Sequence, residues 1–178
     1  MLLFLKNRSY EIVRLFLNQI AISIFGVALA LATGTNQPGL RIGTSVFSIL
    51  FYLFITYVMV WELGYKDSHK IERGDEGQNR ATGLFMGLVA STLNFLWAIL
   101  IMLGNLIPLT FFGNVGAVAK VIALLTEGMY MGILSIQVGE TALNTVWFMY
   151  FLLPFPLILT TSLAYFAGSK DFKIFGKR

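Results

Sequence analysis

Glu127 stands in a segment with few other charges: it follows Thr126 and precedes Gly128-Met129-Tyr130. Lys120 lies two turns earlier on the same helical face, about 10 Å away at 1.5 Å per residue. That spacing is too long for a direct ion pair, but it could bracket a zwitterionic or amphiphilic headgroup. The competing reading is a solvated outer face with ordinary surface charges. Tyr130 is one turn from Glu127, and Trp97 and Trp147 fall at similar depth in neighbouring apolar runs, where they could wall a site. Glu127, Tyr130, Lys120, Trp97 and Trp147 are therefore the ligand-binding candidates.

Other chemistries are poorly served. The chain has no cysteine and one histidine, His69, so thiol chemistry is absent and no nucleophile–imidazole pair stands out. No glycine-rich phosphate loop appears, and no His/Asp/Glu cluster has metal-ligand spacing. The acids Asp67, Glu72, Asp75 and Glu76 alternate with bases and read as a solvated face. The expectation is a protein that is not an enzyme, with no catalytic residues, metal or cofactor.

Several polar residues interrupt apolar runs, where they default to functional or assembly roles. Arg14 and Glu62 fall at equal depth in antiparallel neighbours and can form an ion pair, unless Arg14 snorkels to the headgroups. Asn18 shares the face of Arg14, and Asn94 lies midway through a later run; both are expected to hydrogen-bond across helices. With Arg14 and Glu62 they form a structural polar network. Gly83, Gly87 and Ser91 recur every four residues, a small-residue seam that permits close helix approach, internally or in a dimer. Pro154 and Pro156 should kink the last run, with Thr160 and Thr161 placed to satisfy the freed backbone.

The elements that must hold these residues follow from composition. Of 178 residues, 57% are apolar and 12% charged, whereas soluble domains carry about a quarter charged. Four apolar runs, about 12–33, 43–63, 82–105 and 143–168, match the roughly 20 residues needed to cross hydrocarbon as helix. The loop 64–81 carries four bases and four acids. With the N-terminus inside, eleven of the thirteen Lys and Arg fall on the inner side and only Arg41 and Lys120 outside, the asymmetry the positive-inside rule demands. Were the segment 106–142 also to cross, the four C-terminal bases would lie outside. The fold class expected is thus an all-α integral membrane protein, a single domain of four transmembrane helices. An external amphipathic or re-entrant helix joins spans three and four. Within it, Val118, Ile122, Leu125, Met129, Ile133 and Ile136 make one stripe, expected to be buried in a helix over about 116–137.

The first run exceeds a signal-peptide core and contains Asn18 and Gln19, so it reads as a retained helix. The expected location is a bacterial cytoplasmic membrane with both termini cytoplasmic. The expected partners are the bilayer, a small solute or amphiphile, and a homo-oligomer or larger complex, with no nucleic acid. In function the chain reads as a small polytopic protein that binds or passes a small solute at an outward-facing pocket. The alternative is an accessory subunit that docks another membrane protein and has no ligand of its own.

Overall fold

The computed structural model describes residues 2–33, 37–73 and 81–172. Eight helices are present among them: α1 Leu2–Ala32, α2 Pro38–Glu72, α3 Thr82–Ala90, α4 Thr92–Leu106, α5 Thr110–Thr126, α6 Met131–Leu134, α7 Met149–Leu152 and α8 Phe155–Ser169. A 3-10 turn, Gly128–Tyr130, separates α5 from α6, and a two-residue hairpin pairs β1 Gln137–Val138 with β2 Thr141–Ala142. Three helical stretches are long and apolar enough to cross a membrane, or up to five if each of two bent pairs counts as one. The fold is all-α apart from that hairpin, and it is compatible with an integral membrane protein.

The helices match the apolar runs in type but differ at their ends, for identifiable reasons. The expected loop after residue 63 begins as helix: α2 runs on to Glu72. Gly64 does not stop it, because its bare backbone is the contact surface for Tyr165 and Ser169 of α8. The extension also gains a Lys66–Glu62 pair one turn apart, and His69 and Lys70 lie in its last turn, where cations favour the helix dipole. The remainder of the expected loop, 74–80, lies outside the described residues, as do 34–36 and the bases beyond 172.

The run expected as the third span is two helices meeting at 47° across Ser91. No proline causes this bend. The Thr92 hydroxyl bonds back to the Leu88 carbonyl at 3.2 Å, a pattern that bends helices. The helix of the last apolar run starts later than the expected 143, since 143–145 form a 3-10 turn and the candidate span begins at Met149.

Burial is reversed relative to a soluble bundle. Along α2 the covered positions are Ser45, Ser48, Tyr52, Thr56, Val60, Gly64 and Asp67, a mostly small or polar stripe at helical spacing. Large apolar residues such as Leu50, Phe54 and Val58 on the same helix are exposed. Lipid tails are as apolar as leucine, so in a membrane large apolar side chains gain little by leaving them, while small and polar residues gain from close packing and hydrogen bonds.

At one end of the bundle, Arg8 of α1 and the last turns of α8 both meet the final third of α2. The other end carries the 107–109 connection, the β-hairpin and the start of α2.

Candidate functional site: the α5–α6 hairpin and its buried carboxylate

Pro108 ends α4, because the residue before a proline is pushed out of helical geometry, and Ile107 is extended. The chain reverses within three residues. Helix α5 then descends against α4, with Gly116 packed on Gly104. Its last carbonyl, that of Thr126, accepts hydrogen bonds from Gln19 Nε2 at 3.2 Å and Ser23 Oγ at 2.5 Å. Gln19 is about 17 Å from Arg8 and about 20 Å from Ala32 along α1. Helix α5 therefore ends near the middle of the bundle.

The chain then turns by 86°. Close backbone contact makes this possible: a Cβ at Gly26 would lie 2.5 Å from Met129 Cα, and one at Gly128 would lie 2.6 Å from the Ser23 carbonyl oxygen. The Ser45 hydroxyl donates to the Met129 carbonyl at 2.5 Å, and Gly132 lies against Arg41 and Ser45 near the start of α2. The segment thus goes in at one end, reaches mid-depth, and returns to the same end.

Glu127 sits at the turning point. It is 2% exposed, and its Oε1 has no hydrogen-bond partner among the described residues. Tyr52 of α2, Tyr130 of the 3-10 turn and Tyr150 of α7 lie within electrostatic reach of the carboxylate. All three are buried, and Tyr150 is held by its bond to the Asn144 carbonyl at 3.0 Å. Gln19 donates to Asn94 Oδ1 at 3.0 Å, while its own Oε1 is a second buried acceptor without a partner. The site therefore draws on α1, α2, α4, α5 and α7.

The other candidates fall elsewhere. Lys120 is half-buried two turns up α5. Trp97 lines an apolar groove of about 280 Å³ between α4 and α5, with Leu100, Phe111 and Val118. Trp147 packs edge-on against Phe148 and Phe151. The expected buried stripe is corrected in part: Met129 is covered, but Val118 is 60% and Leu125 56% exposed, while Gly116, Ala119 and Ala123 are covered. The helix over 116–137 is likewise two pieces broken at Glu127. Small residues let α5 approach α4 closely, and the large ones face outward.

The expected Arg14–Glu62 pair is replaced by a different one. Glu62 bonds its own helical neighbour Lys66 at 2.6 Å on a half-exposed surface, and Arg14 only shares a groove with it. The buried pair is Arg8 Nη2 with Asp67 Oδ2 at 2.5 Å, to which Tyr165 also donates at 3.0 Å. Asp67 is not part of a solvated face. Glu62→Gln should accordingly change stability by no more than about 0.5 kcal/mol, the value of an exposed i,i+4 pair. A melting-temperature loss as large as that of a core variant would show that Glu62 has a buried partner.

Asn18 reaches Met59 Sδ at 3.6 Å rather than another polar group. Gly83 and Gly87 pack on Thr161, Tyr165 and Ile158 of α8, an internal seam, and Ser91 is buried at the bend. Sequence reasoning missed Gln19, Ser23, Tyr52 and Arg8. The available signal was a polar and small stripe at helical spacing: 19, 23, 26 and 30 on α1, and 45, 48, 52 and 56 on α2.

Comparison with family models, with curated proteins and with solved structures gives no match. The site is read from its own geometry.

Proposed function

We propose that this is a small multi-pass membrane protein that binds and passes a small solute through an outward-facing site at the tip of the α5–α6 hairpin. Helices α1 and α2, the pair α3–α4, and the pair α7–α8 are the four spans. The Arg8–Asp67 end is cytoplasmic, as the eleven-to-two base asymmetry requires. The hairpin enters from outside. The observation that carries the reading is the Glu127 carboxylate, buried at mid-depth with an unpartnered oxygen, since ionisable groups at such depth mark solute and ion paths. Above it, a groove of about 510 Å³ is lined by Pro38, Arg41, Ile42, Ser135, Ile136 and Gln137. The Ser45–Met129 contact separates this groove from the carboxylate, so it can serve as the outer vestibule.

Because the chain lacks cysteine, topology can be tested with single substitutions and no background. Cysteine at Ser68 or Ser169 should resist an impermeant thiol reagent in intact cells, and cysteine at Gln37 should react. Outside labelling of Ser169 would reverse the placement of the hairpin. For the site itself, proteoliposomes holding wild type or Glu127→Gln are challenged with a panel of small ions, amines and amphiphiles. Wild type should give solute-dependent flux that the variant loses, with nearly unchanged melting temperature. No flux with any class, or equal flux in the variant, would discard the transport reading.

An accessory-subunit reading draws on one observation, the wholly apolar groove between α4 and α5 at Trp97 and Phe111, which suits a neighbouring helix. Co-purification of one fixed partner, released by Phe111→Ser, would support it. A protein that stays alone with native flux would not.

A further inference from the structure

We infer that the Glu127 site takes a small, hard monovalent cation, sodium. This rests on the transport reading above and names what occupies its centre.

Three features converge on one place. The first is charge: Glu127 has no Lys, Arg or His partner among the described residues, so a single positive charge would balance it. The second is the direction of α5. Its C-terminus, the negative end of the helix dipole, stops beside the carboxylate at Thr126. A carboxylate and a helix C-terminus at one buried point repel each other unless the carboxyl is protonated or a cation lies between them. The third is ligand chemistry. Several oxygens meet at the end of α5: the Thr126 carbonyl and Asn94 Oδ1, joined through Gln19 Nε2, and the unpartnered Gln19 Oε1, while Tyr52 and Tyr130 lie within electrostatic reach of the carboxylate. Gln19 Oε1 and Glu127 Oε1 are both buried acceptors without a donor. Hard cations prefer oxygen ligands, and broken helices in membranes hold sodium with half-helix C-termini and unwound carbonyls.

The same inventory narrows the other occupants. No group of three His, Cys, Asp or Glu is present among the described residues, so a divalent metal would lack the charge to hold it. An anion would face a carboxylate. A proton would neutralise Glu127 and turn its carboxyl into a donor, so it alone remains as a rival occupant, and the pH arm of the test separates it from sodium.

The test uses the full chain in nanodiscs at fixed pH and ionic strength. Sodium chloride replaces choline chloride or potassium chloride stepwise while thermal unfolding is followed. Sodium should raise the wild-type midpoint by several degrees through mass action, choline should not, and potassium should be weaker. Glu127→Gln should lose the sodium response. If that variant does not fold, radioactive sodium binding to wild type, displaced by cold sodium but not by choline, carries the test alone. Equal midpoints in sodium and choline, or stabilisation by lowered pH without any sodium effect, would overturn the inference. Neither result would touch the flux measurement, where loss of a different solute with Glu127→Gln would still support the transport reading.

Discussion

Replacing Asp67 with asparagine is expected to destabilise the bundle by about 3–5 kcal/mol, the cost of stranding one member of a buried ion pair. The Asp67 side chain is 2% exposed and the Arg8 side chain 13%. One carboxylate oxygen receives both the Arg8 guanidinium and the Tyr165 hydroxyl, so a single residue ties α1, α2 and α8 together. Asparagine keeps the shape but removes the close counter-charge of Arg8 and leaves it a longer contact to Glu11 at 3.9 Å. Arg8→Met combined with Asp67→Asn should recover much of the loss, because no lone buried charge remains. Tyr165→Phe should cost less, about 1.5–3 kcal/mol for a hydrogen bond to a charged group. Melting temperature and folded yield in detergent measure all of these. A single variant no worse than the double would mean that the pair is solvated and does not anchor the helices.

The second large effect is expected at the crossing of α2 and α8. A Cβ on Gly168 would run into the Trp61 carbonyl, with Trp61 C at 2.9 Å and Tyr65 N at 3.0 Å. On the facing helix, Gly64 meets Tyr165 in the same manner. The obstacles are backbone atoms, which cannot rotate away. Gly168→Ala should therefore separate the helices and lower stability by about 1–3 kcal/mol or more, as overpacking does. It should also weaken the Asp67–Tyr165 bond, since Tyr165 is one turn earlier on α8. Gly113 makes the control: it lies in α5 with nothing within 4 Å of the added carbon. Gly113→Ala should be neutral or stabilising by about 0.5–1 kcal/mol. Equal effects at the two sites would remove the close-contact account of the crossing.

Much of the architecture was legible in the residues, and the reasons are local. Runs of about twenty uncharged apolar residues state helix length directly, because a chain in lipid must satisfy its own backbone. The charge asymmetry argued against 106–142 as one more crossing, and the segment begins and ends at one end of the bundle. Glu127 was conspicuous as an acid in apolar sequence. Neither its depth nor its neighbours could be read. Gln19, Tyr52, Asn94 and Tyr150 are far apart in the chain, and only the descent of α5 brings them to one level.

Two misreadings show where local reasoning ends. Helical periodicity sorts residues onto faces, but it does not say which face is covered. The rule from water, that the apolar face is buried, placed Val118 and Leu125 inside, whereas Gly116, Ala119 and Ala123 are covered instead. A lipid surrounding would reverse the sign, since lipid solvates leucine as well as a protein core does and close approach then decides packing. Depth matching similarly paired Arg14 with Glu62, yet partner choice depends on rotation about each helix axis. Along α2, Asp67 continues the buried stripe of Thr56, Val60 and Gly64, while Glu62 points away from it. The sequence alone determined the class, the helix-forming runs and the odd segment between the last two. The tertiary structure decided which faces meet and which charges pair, because these depend on helix rotation and on backbone contacts through glycine. Neither is encoded in the spacing of residues along a single helix.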